Sequence, residues 1–163
     1  MKKYVLASLF IAGCSQVKYM PPQGKDVSPI TLVNTISDGA SSSLRVFNGP
    51  ICNQANFVGT AAKVGHKIDV WKSEETTQLE SNKKAFLSIG HMMTVPQGTN
   101  MLLTYECNKF ISFTPKFGES YIVKSISTGI RTCDFELKEV STSKSHLDLQ
   151  IIPSNESCIV NTY

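Results

Sequence analysis

Apolar and polar residues alternate with a period of two in short runs along most of the chain beyond residue 43. In residues 43–48 (SLRVFN), Leu44, Val46 and Asn48 fall on one face and Arg45 and Phe47 on the other. Residues 67–72 (KIDVWK) alternate again, with Ile68 and Val70 opposed to Asp69 and Trp71. Residues 84–95, 101–107, 110–114, 120–127, 132–140 and 146–152 continue the series with β-branched and aromatic members. A period of two over a few residues is the signature of a half-buried strand.

Turn chemistry separates these runs. Val95-Pro96-Gln97-Gly98 carries Pro at the second and Gly at the fourth position, as a type I turn prefers. Thr114-Pro115-Lys116-Phe117-Gly118 is one residue longer, and Asn48-Gly49-Pro50 and Ser127-Thr128-Gly129 are further breaks. After the first residues no apolar stripe of helical period persists. The best helical candidate, residues 72–84 (KSEETTQLESNKK), is almost wholly polar and reads equally as a long loop or a polar edge strand. The pattern predicts an all-β domain, an antiparallel β-sandwich of about seven short strands.

The first residues obey a different rule. Lys2 and Lys3 precede an apolar run from Tyr4 to Ala12, which is too short to span a hydrocarbon core of ~30 Å as a helix. Small residues then lead into Cys14. A positive start, a short apolar stretch and a small-residue exit outline a secretory signal. Ile11-Ala12-Gly13-Cys14 resembles the lipobox of bacterial lipoproteins at all four positions. The resemblance implies cleavage before Cys14, a diacylglycerol on its thiol and an acyl chain on its amine. At ~0.8 kcal/mol per buried CH₂, several acyl chains make a lasting anchor. It also implies, from Ser15 in the following position, an outer-membrane address, on the periplasmic face or at the cell surface. The organisation expected is a signal peptide over 1–13, a lipidated Cys14 with a tether over 14–29, and a β-sandwich over 30–163. The tether composition, with three Pro and one Gly, predicts a flexible coil that holds the domain roughly 20 Å from the anchor.

Residues 95–123 (VPQGTNMLLTYEC, then FTPKFGESYIV) resemble strand-turn-strand units of transthyretin-like and PEGA-like β-sandwich lipoproteins of Gram-negative envelopes. This resemblance implies the fold and leaves activity open.

Charge excludes one class of function. The formal net charge is +3, from 16 basic and 13 acidic residues. Without Lys2 and Lys3 the remainder carries +1, which is no nucleic-acid footprint. Of the five cysteines, Cys14 is assigned to the lipid anchor, which leaves an even set: Cys52, Cys107, Cys133 and Cys158. An exported chain places these in an oxidising compartment, where disulfides are the expected use. Three pairings are open. Cys52–Cys107 with Cys133–Cys158 is favoured as joining elements nearer in the chain. No closely spaced pair points to zinc or to redox exchange.

Candidate chemistry is sparse. The three histidines are His66, His91 and His146. No G-x-S-x-G elbow accompanies them, and His146 with Asp148 reads as a same-face pair on a final strand. Gly90-His91-Met92-Met93, with Met101 across the Pro96 turn, is the most metal-like cluster, because imidazole and thioether together suit Cu(I). The plainer reading makes the methionines core filler and puts His91 in solvent. The sequence therefore predicts no catalytic residue and no cofactor. It predicts a lipid-anchored envelope protein that contacts the membrane through its anchor and binds a protein partner. An accessory lipoprotein of a secretion or surface machine, and a copper-handling protein using His91, Met92, Met93 and Met101, are the alternatives.

Overall fold

The computed structural model describes residues 17–35, 40–49, 54–67, 70–97, 101–127, 133–142 and 148–152. They form ten strands: β1 (Val27–Asn34), β2 (Ala40–Phe47), β3 (Phe57–Lys67), β4 (Val70–Lys72), β5 (Glu74–Glu80), β6 (Ala85–Gln97), β7 (Met101–Phe113), β8 (Tyr121–Ser127), β9 (Cys133–Glu139) and β10 (Gln150–Ile152). The strands make two sheets, one ordered β5-β1-β8-β9 and the other β10-β7-β6-β2-β3-β4. The expected β-sandwich is the architecture found, with more strands than seven and one exception to antiparallel pairing. β1 runs parallel to β8, from Ile30 opposite Tyr121 to Asn34 opposite Ser125.

Period-two patterning decides which face of each strand is covered. β1 buries Ser28, Ile30, Leu32 and Asn34 and leaves the intervening residues partly exposed. On the other sheet, Leu44, Val46, Leu87, Ile89, Ile111 and Phe113 are buried. The register sets Leu44 opposite Ile89, Val46 opposite Leu87, and Leu87 opposite Ile111. These side chains join Tyr121, Val123 and Leu137 in one continuous core. Phe113 and Tyr121 meet edge to face across the sheets, with ring centroids 5.2 Å apart.

Several expected boundaries move. Residues 67–72 are not one strand, because Lys67 ends β3 and Val70 begins the strand paired back on it. The runs 101–107 and 110–114 fuse into β7, and β6 continues through Pro96, which pairs with Leu102. Of the three readings of 72–84, the polar edge strand is the one realised: β5 pairs with β1 and buries Thr77 and Leu79. The Pro115–Gly118 turn forms as expected, with Gly118 at φ 79° and the Glu119 N–H donating to the Lys116 carbonyl at 3.1 Å.

The largest change is at the start of the domain. β1 begins at Val27, inside the stretch read as a tether. Further upstream, the Thr60 N–H donates to the Val17 carbonyl at 2.9 Å, and the Tyr19 N–H donates to the Thr60 carbonyl at 3.0 Å. Tyr19 is buried in the main core, and its hydroxyl donates to the Gln78 carbonyl at 3.1 Å. Gly59 makes this possible, since a Cβ there would stand 2.5 Å from the Tyr19 nitrogen. Residues 17–19 are thus part of the sandwich, closing the edge between β3 and β5. Burial pushes the Tyr19 phenol up, with Glu80 adding to the effect, which keeps it a neutral donor.

Candidate functional site

Among the described residues, three places with polar side chains bear on function. The first is one end of the interior. Ser42 and His91 lie opposite each other on β2 and β6, continuing the inward-facing rows of Leu44 and Ile89. His91 is only 5% exposed, and its Nδ1 shares a hydrogen bond with Ser42 Oγ at 3.4 Å. Among the described residues its Nε2 has no hydrogen-bond partner. Burial holds the imidazole below its ordinary range, favouring the neutral ring. The expectation that His91 faces solvent is therefore corrected. Asn34 and Ser125, paired in register on the opposite sheet, are buried at the end of their own inward rows.

The second is the staple at that same end. Cys107, opposite His91 in register, is bonded to Cys133, which opens β9. Their Cα atoms are 6.2 Å apart, and the bond joins the two sheets. Cys107–Cys133 excludes both Cys52–Cys107 and Cys133–Cys158. The stacking of the two sheets, which nearness in the chain does not reveal, brings Cys107 in the middle of β7 against Cys133 at the start of β9. Of the three pairings open to four cysteines, only one contains Cys107–Cys133. Cys52 and Cys158 lie outside the described residues, as do Cys14 and His146.

The copper quartet does not converge. His91 and Met93 share the inward face of β6, while Met92, between them, points to the other face by strand alternation. Met101 pairs with Gln97, six residues beyond His91 and therefore roughly 20 Å along the strand. Among the described residues no group of three His, Cys, Asp or Glu gathers that could hold a metal. His66 pairs in register with Trp71. Asp148 precedes β10 and accepts the Thr114 N–H at 2.9 Å, so it is not on a final strand.

The third place is a hollow on the outer face of the larger sheet. Lys63, Ser43, Gly90 and Asn108 form one row across β3, β2, β6 and β7. Gly90 lies between Ser43 and Asn108 in this row, and beside it is a hollow of about 210 Å³ bordered by Ser41, Arg45, Met92 and Glu106. A Cβ on Gly90 would lie 2.7 Å from Asn108 Oδ1 and 2.8 Å from Ser43 Oγ, so these two side chains close over this position only because residue 90 is glycine. Arg45 stands 3.6 Å from Glu106, and Asn108 Nδ2 donates to Glu106 Oε1 at 3.2 Å. Asn108 Oδ1 is buried with no hydrogen-bond partner among the described residues. Hydroxyls and a charged pair can hold a small hydrogen-bonding group there. Reading along single strands does not find it, because its residues come from four strands that only the sheet pairing brings together.

Compared with known proteins, the chain matches no family model and no curated protein.

Proposed function

We propose that this chain is a lipid-anchored envelope lipoprotein, cut before Cys14 and held at the outer membrane, whose β-sandwich acts as a non-catalytic binding or assembly module facing the periplasm. The observation that carries this reading is the Cys107–Cys133 bond between the sheets. A structural disulfide persists where the surroundings are oxidising, and an exported chain reaches such a compartment. Export is what the leader and Ile11-Ala12-Gly13-Cys14 imply on independent grounds. The binding role rests on the hollow around Gly90, a polar recess on a rigid sheet, and its occupant is a polar group of a protein partner. Metabolic labelling with palmitate tests the anchor. The native chain takes up label and partitions into detergent, and Cys14→Ser does neither; labelling that survives Cys14→Ser refutes the reading.

A further inference from the structure

The docked N-terminal segment changes where an anchored domain must sit. Val17 is fixed to β3 and lies three residues after Cys14, a span of at most about 11 Å when fully extended. The polar layer of a bilayer leaflet takes up roughly 5–7 Å of this reach. An anchor at Cys14 therefore leaves no room for the domain to stand clear, in contrast to the roughly 20 Å that a free tether over 14–29 allows.

The surface around the docked segment suits that position. Val17 is 58% and Met20 84% exposed, two apolar side chains on the segment itself. The grooves on either side are lined by Lys18, Lys25, Lys63, Lys83 and Lys84 against Glu75 and Glu80, a net of +3. Counting Asp26 beside Lys25 leaves +2. The whole chain from Cys14 onward carries only +1, so the rest of the mature protein is net negative. Positive charge is concentrated on the one edge that a three-residue link brings to the membrane.

We propose that this edge, formed by residues 17–20 with Lys18, Lys25, Lys83 and Lys84, is a membrane-seating surface that rests on acidic phospholipid headgroups and fixes the orientation of the sandwich. The inference rests on the lipidation of Cys14 proposed above. A lysine near an acidic leaflet adds about fivefold to surface association, and an acyl anchor combined with a basic patch is a two-signal attachment. The seated edge directs the long β6–β7 hairpin, whose Leu102 is 70% exposed, away from the bilayer.

The test places a photoreactive residue at two sites of the full-length chain, Met20→p-benzoylphenylalanine and Leu102→p-benzoylphenylalanine. Each lipidated protein is reconstituted into vesicles of phosphatidylethanolamine and phosphatidylglycerol, with palmitate content measured on the same sample. The probe at 20 is expected to crosslink phospholipid and the probe at 102 to crosslink little. Adding Lys18→Gln and Lys84→Gln should lower the crosslink at 20 by about fivefold or more. Palmitate present with equal crosslinking at both sites, or with none at 20, overturns the seating and leaves the anchor standing. Palmitate absent overturns the anchor itself and the seating with it.

Discussion

The two ends of the sandwich interior are built on different principles. Towards the Pro115–Gly118 turn the sheets meet through Leu87, Ile111, Phe113, Tyr121, Val123 and Leu137, all essentially inaccessible to solvent. At the other end the same inward rows continue as Asn34, Ser42, His91 and Ser125, and there Cys107 is bonded to Cys133. The first end has apolar burial to hold it, worth about 25 cal/mol per Å² removed from water. The second buries groups whose desolvation is a cost, offset only partly by bonds such as Ser42 to His91. The difference teaches where a staple belongs: the covalent bond lies where the hydrophobic driving force is weakest.

Cutting into each end in turn separates the two principles. Phe113→Ala removes a fully buried ring at the apolar end and is expected to lower unfolding free energy by about 3–5 kcal/mol, measured by urea denaturation. Removing the staple with Cys107→Ala and Cys133→Ala, which opens a separation of 26 residues, is expected to cost about 3.5 kcal/mol in the chain-entropy model. The two losses should differ in place as well as size. Hydrogen exchange should accelerate first at the polar end in the cysteine variant, and throughout in Phe113→Ala. Uniform acceleration in both would remove the distinction.

Acid sharpens the same contrast. His91 has a folded pKa below its unfolded value of about 6.5, so the unfolded chain takes up the proton first as pH falls. Stability from this residue is complete above that value and is lost as pH drops through it towards the folded pKa. Between pH 7 and 5 the native melting temperature should fall, and His91→Leu should flatten the slope. Glu80, held low by hydrogen bonds to Lys25 and Lys83, loses its contribution only in a lower window, as pH falls from the unfolded glutamate value of about 4.3. The smallest effect expected is at Ser125, whose buried Oγ has no partner among the described residues. Ser125→Ala should change stability by no more than about 0.5 kcal/mol. A loss above that level would mean the hydroxyl contributes more than its surroundings indicate.

The elements legible in the sequence were those with clean alternation, such as β6, β8 and β9. β3 escaped because Gly59, Ala61, Ala62 and Gly65 dilute its pattern, and because its register with β2 shifts after Leu44 and again after Val46. β1 escaped because Pro29 reads as linker. It precedes Ile30, the first residue of β1 paired with β8, so the strand tolerates it near its beginning. The disulfide pairing and the hollow around Gly90 were not legible, since both are made by residues that only the two-sheet topology brings together. Tyr19 gave the least warning of all: a lone aromatic among Pro, Gln and Lys is a core residue here only because Gly59 leaves room for its main chain.

The central claim is that Cys14 is where the chain is cut and anchored. Its most direct test is the intact mass of the protein extracted from membranes of cells expressing the full chain. The account predicts a polypeptide that begins at Cys14 and is heavier by a diacylglyceryl group and an amide-linked acyl chain. A polypeptide that retains residues 1–13, or one with an unmodified Cys14, would contradict it.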